Sequence, residues 1–234
     1  MTSGYSIPAA VKTIQEKTQS IDLLNVYKGV PISIQAFLRS TSPEEVVAEV
    51  RPPESICLLF ERNTLIRHAS LPNLVRARVN GFDPHTGLVR LGAFQFSRSK
   101  FIQRSQVRVE PRNPIRAELE FRNHKIVGTL ADISLIGIGL YISSSEYEFA
   151  LNRAENVSLI LHLPTGKIRS EGKLRGMGKS VDFCRLAINF CGNTPENAIV
   201  QHYIADRQSE ILLELHHLYE ENVRPAEVKQ AILN

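Results

Sequence analysis

Cysteine is scarce in this sequence: Cys57, Cys184 and Cys191 are the only three in 234 residues, odd in number and far apart. A disulfide framework needs paired cysteines, and a zinc site needs them in close CxxC spacing, so neither is on offer. Long apolar runs are missing too. Nothing approaches the ~20 residues that cross a bilayer, and the first residues lack the charged-then-apolar pattern of an export signal. The expectation is a cytoplasmic chain without a membrane span. Also lacking is any grouping of general acid, base and nucleophile. Ser143-Ser144-Ser145 has no paired histidine and aspartate, and His216-His217 stand on a helix with no carboxylate or cysteine beside them in sequence. Gly176 and Gly178 do not form a phosphate loop and mark a bulge or turn instead. The chain therefore reads as a binding protein and not an enzyme, with no metal and no resident cofactor.

Carboxylates are thin in the middle of the chain. Eleven arginines lie between Arg62 and Arg122, while Asp83 is the only carboxylate between Arg62 and Glu110. The net charge is only +4, but 19 of the 28 basic residues are arginine. Arginine binds phosphate through two parallel hydrogen bonds and lies flat on aromatic rings, which suits an anionic ligand or partner. Some of these arginines, Arg76 and Arg78 among them, simply occupy the polar face of a strand.

Period-two alternation dominates the rest. Residues 1–28 read as a polar lead-in, with a short helix around Val11 to Leu24. From 29 to 98 a small barrel is expected: strands at Val30–Leu38, Glu45–Val50, Ser55–Phe60, Leu65–Ala69, Val75–Asn80 and Leu88–Phe96, separated by turn residues. Residues 99–193 hold a second set, at Arg116–Phe121, Lys125–Leu130, Ile136–Ile142, Val157–Leu163, Ile168–Met177 and Phe183–Phe190. Residues 194–234 form a C-terminal helical segment. Thr194-Pro195-Glu196 supplies a capping hydroxyl, a first-turn proline and an acid. An apolar stripe follows from Ile199 to Leu218, and Pro225 is expected to break the helix. That stripe either packs on the second barrel or pairs with another copy of the chain, giving a homo-oligomer. The fold class is all-β with a terminal helix, built from two small antiparallel β-barrels in tandem.

Two short elements carry the chemistry. Arg104 and Arg108 follow the join between the two strand sets, and Asp132-Ile133-Ser134-Leu135-Ile136-Gly137 lies between two strands of the second set. An RxxxR pair alone has little weight, since roughly one or two arise by chance in so arginine-rich a chain. Arg104, Arg108, Arg112 and Arg116 are all four apart, and Pro111 and Pro114 forbid a helix through the later ones. The order of linker, RxxxR, strand, DxSxxG and strand favours Arg104 and Arg108. Together the two elements resemble the paired signature of PilZ domains, and Arg185-Leu186-Ala187-Ile188-Asn189-Phe190 is similar to that family's closing strand. The resemblance covers roughly residues 100–193. The upstream barrel resembles, more faintly, the N-terminal domain of flagellar-brake (YcgR-like) proteins.

The resemblance implies a six-stranded barrel that binds cyclic-di-GMP, with Arg104, Arg108, Asp132, Ser134 and Gly137 as ligand-binding residues. Those residue types suit the ligand. Guanidinium groups hold phosphates and stack on purines. A carboxylate accepts from the guanine N–H edge, a serine bonds a base edge or a phosphate oxygen, and glycine permits close approach. Gln103 and Ser105 flank Arg104 where many members carry a further arginine, which leaves one ligand or a stacked pair open. The implied mechanism has ligand recruiting mobile linker arginines and reorienting the barrels to control a protein partner, by analogy a flagellar motor component in bacterial motility. Two rivals remain: a basic module for single-stranded nucleic acid, disfavoured because Asn73–Asn80 carries arginine without aromatic stacking partners, and a ligand-free PilZ-like interaction module.

Overall fold

The computed structural model describes residues 7–17, 19–97, 106–121, 124–144, 156–192 and 197–233, with side chains omitted at 197 and 224–233. Two compact units emerge. The first comprises residues 1–27, 31–103 and 211–234; the second comprises 28–30 and 104–210.

The first unit opens with helix α1 (Ile7–Lys17), whose buried residues Ile7, Val11 and Ile14 recur at helical spacing. Strands β1 (Ser20–Tyr27), β2 (Val30–Thr41), β3 (Glu45–Val50), β4 (Asn63–Arg67), β5 (Val75–Asp83) and β6 (Leu88–Phe96) close into a barrel in the order β1-β2-β3-β6-β5-β4. The helix ends at Lys17, and Ser20–Leu24, expected as the end of a helix from around Val11, belong to strand β1. The alternation in β1 is blurred because Leu23, Leu24 and Asn25 are buried in succession. The segment Ser55–Phe60, expected as a strand, is instead a short 3₁₀ helix over Glu54–Leu59. Ser55, Ile56, Cys57 and Leu58 are all buried, and periodicity cannot tell such a run from a strand buried on both faces.

In the second unit, strands β7 (Arg116–Phe121), β8 (His124–Ser134), β9 (Gly137–Ser143), β10 (Asn156–Leu163), β11 (Gly166–Lys179) and β12 (Phe183–Phe190) close in the order β10-β11-β12-β9-β8-β7. All the pairings are antiparallel. Alternate residues such as Leu119, Leu130, Leu140, Leu159, Leu174 and Leu186 fill its interior. Each such burial is worth about 1.5–3 kcal/mol relative to exposure.

Helix α2 (Asn197–Leu233) runs on through Pro225, where a break was expected. A proline removes one rung of the hydrogen-bond ladder and bends a helix without necessarily ending it. The proposed cap at 194–196 lies outside the described residues. Val200, Tyr203, Ile204, Ile211, Leu215 and Val223 are buried within this chain, whereas Leu212, counted in the sequence stripe, is 40% exposed. Residues up to Glu210 group with the second unit and those from Ile211 with the first.

Candidate functional site

The Asp132–Gly137 motif is the tight β8–β9 hairpin of the second barrel. Asp132 and Ser134 end β8, Leu135 and Ile136 form the turn, and Gly137 begins β9. A bulge between Leu130 and Asp132 shifts the register there, so that Asp132 pairs with Gly139 and Ser134 with Gly137. A bulge re-aims the side chain beyond it. Here it leaves Asp132 on the outer wall while Leu130 and Ile133 stay in the core.

Ser134 has no solvent exposure, and its hydroxyl donates to the Gly137 carbonyl at 3.0 Å. That bond ties the two ends of the turn together. Gly137 is required for a second reason: a Cβ there would lie 2.2 Å from the Ile188 carbonyl oxygen of β12. The motif's serine and glycine thus shape the hairpin from within, and its aspartate is the member that faces outward.

Arg108 reaches the same place from the segment that precedes β7. Val109, fully buried, exchanges backbone hydrogen bonds with Ile133 at 2.9 and 3.0 Å, which docks this segment beside the end of β8. Arg108 Nη1 then lies 3.4 Å from Asp132 Oδ1. The sequence reading expected Arg108 on a mobile linker, whereas this backbone pairing holds its neighbour. Arg104 lies outside the described residues.

A residue that sequence reasoning did not select completes the group. Arg185 of β12 donates to Asp132 Oδ2. The strand pairings place Arg185 across from Tyr141 of β9, and Ala187 across from Gly139. Gly139 is the floor beneath the ion pair: a Cβ there would come within 2.7 Å of the Arg185 guanidinium and 2.8 Å of the Asp132 carboxylate. Only the alternation of β12, which turns Arg185 outward between inward Cys184 and Leu186, hints at this in the sequence. The Asp132 side chain retains 13% exposure between its two arginines. Farther along the wall is a groove of about 450 Å³, lined in part by Val127, Gly128, Tyr141 and Phe183. The rings of Tyr141 and Phe183 meet edge to face with centroids 5.0 Å apart.

Other charged groups on this barrel are cross-strand supports. Glu118 takes an ion pair from Lys125 at 2.6 Å and another from Arg116 at 3.2 Å, and the Lys125 hydrogen bond holds its carboxyl below the usual range. In the first unit His216 Nε2 lies 4.0 Å from Glu54 Oε1. Among the described residues no histidine, cysteine and carboxylate group is arranged to hold a metal ion.

Comparison with known proteins points to the same segment. The model of the PilZ domain matches residues 102–206. Among solved structures, the complex of MrkH from K. pneumonia with c-di-GMP aligns with 92% of this chain and 98% of its own, at 14% identity and a TM-score of 0.47. YcgR from Escherichia coli in complex with c-di-GMP aligns with 91% of this chain and 96% of its own, at 15% identity and a TM-score of 0.45. The inhibitor of motility MotI/DgrA from Bacillus subtilis aligns with 82% and 97%, at 12% identity and a TM-score of 0.40. A search of curated proteins finds no match. With the RxxxR pair ahead of the barrel, the DxSxxG hairpin in its wall and the family model spanning both, residues 102–206 of this chain form a PilZ domain.

Proposed function

We propose that this chain is a cyclic-di-GMP receptor that acts by binding and not by catalysis. The observation that carries the reading is the meeting of Arg108 and Asp132 on the outer wall of a PilZ barrel. Cyclic-di-GMP presents two phosphates and two guanine edges. Asp132 is the acceptor for a guanine N–H edge, and Arg108 is the donor for a phosphate. In the free protein these two groups neutralise one another at 3.4 Å, a long contact that a ligand offering each a closer partner displaces. Ser134 and Gly137 serve the site by fixing the hairpin, and Arg104 joins Arg108 on the ligand.

The output in this reading is control of a protein partner. Ligand recruits the arginine side chains of Arg104 and Arg108 and reorients the two barrels, with a component of the flagellar motor as the partner class and the cytoplasm as the place of action. Small-angle scattering of free and ligand-saturated protein tests that half; identical curves remove it. Calorimetric titration tests the binding half. Saturable heat with cyclic-di-GMP, and much weaker binding of the linear dinucleotide, is the expected result. No binding, or equal binding of the two, overturns the receptor reading.

A further inference from the structure

The two arginines on Asp132 are not equivalent. Arg108 comes from an irregular segment and touches Oδ1 at 3.4 Å. Arg185 comes from the middle of a barrel strand, its backbone paired with Tyr141 on one side and Gly178 on the other, and it holds Oδ2. A ligand phosphate competes for the loosely engaged arginine and leaves the strand-borne one where it is. Gly139 supports this division, since its missing Cβ is the space in which the Arg185 guanidinium and the Asp132 carboxylate meet.

We infer that Arg185 is the positioning residue for the base-reading carboxylate: by holding Asp132 Oδ2 it orients Oδ1 toward a guanine edge, and so sets the preference for guanine over purines without a 2-amino group. The inference rests on the cyclic-di-GMP reading above and adds to it a third arginine with a different task. Guanine offers its N1–H and its 2-amino group side by side. A carboxylate must be held in one rotation to accept from both, and a fixed partner on one oxygen does that. Hypoxanthine keeps N1–H and lacks the amine, which makes cyclic-di-IMP the discriminating probe.

The experiment measures affinities of the full chain for cyclic-di-GMP and cyclic-di-IMP. Wild-type protein is expected to prefer cyclic-di-GMP by roughly tenfold or more, the size of a hydrogen bond to a charged group. Arg185→Ala should bring that preference down to about threefold or less, and Arg185→Lys, which keeps the charge, should restore part of it. Gly139→Ala is an independent route. It changes no charge, and the atoms it displaces belong to the Arg185 and Asp132 side chains and not to the backbone, so the fold survives and the preference falls as in Arg185→Ala. Should Arg185→Ala fail to fold, the Gly139→Ala result decides. Equal loss of both ligands in the variants would mean that Arg185 only attracts phosphate, and the inference is overturned. So it is if the variants keep the wild-type preference, or if wild-type protein binds both ligands equally well. A wild-type protein that binds neither ligand instead removes the receptor reading, and the inference with it.

Discussion

The two barrels have the same strand number, the same antiparallel pairing and the same apolar filling, but they carry charge on their walls in different ways. On the first, Arg39 pairs with Glu49 and Arg67 with Asp22, and the four side chains are between 38% and 58% exposed. On the second, Asp132 is 13% exposed beneath Arg108 at 27% and Arg185 at 40%. Exposed pairs stabilise little, because water screens them and side-chain entropy opposes them. A carboxylate screened from water and shared by two guanidinium groups is held in place and oriented. The contrast shows a common architecture holding a carboxylate between two arginines where a bulge, a glycine floor and a docked arginine coincide.

What the barrels share should show in the largest effects. Leu23→Ala in the first and Leu140→Ala in the second each delete a side chain of zero exposure. Each is expected to cost about 2–5 kcal/mol in chemical denaturation. A full cost in one barrel and none in the other would end the claim that the two interiors are equivalent.

Where they differ, ligand affinity is the measure. Arg108→Ala removes one partner of a screened charge group, a loss of about 2–5 kcal/mol, or roughly thirtyfold and more in the dissociation constant for cyclic-di-GMP. Arg112→Ala removes the same charge from an exposed position four residues on and should change affinity by less than about threefold. Equal losses at Arg108 and Arg112 would show a diffuse basic surface in place of a shaped site, and a steep salt dependence would accompany them.

Buried polar contacts sharpen the comparison at a smaller scale. In the first barrel Asn25 donates to the Cys57 sulfur at 3.7 Å, and burial pushes the Cys57 thiol up from 9.0 to about 11. The folded state then keeps a proton that the unfolded state releases. Stability is fully present below about pH 9 and falls as pH rises toward about 11. Cys57→Ala should flatten that slope, and alkylation of Cys57 in native protein at pH 8 should be slow. In the second barrel Ser134→Ala leaves the Gly137 carbonyl without its hydroxyl donor, at a cost of about 1–3 kcal/mol by denaturation. An unchanged midpoint would mean that the turn holds without that bond.

Smallest of all is the effect of the exposed pairs. Arg67→Ala should change stability by less than about 1 kcal/mol, and the difference should vanish in concentrated salt. A larger, salt-resistant cost would place the first barrel's wall in the same class as the second's.

Much of this molecule was legible as sequence. Strict alternation marked β2, β7 and β12 because one face of each strand is buried and the other wet, a pattern local to the residues themselves. Asp132–Gly137 was marked by its resemblance to a family signature and by its order after Arg108, both legible along the chain. Strand β1 escaped because consecutive residues are buried there, and the Glu54–Leu59 3₁₀ helix escaped because Ser55 to Leu58 are buried in succession. Only the closed barrel decided that Arg185, more than fifty residues from Asp132 in the chain, stands beside it, and that Gly139 leaves room for the two to meet. Local periodicity says which face of a strand looks outward. Which outward residues become neighbours depends on strand order and register, and those are settled by closing the barrel over its core.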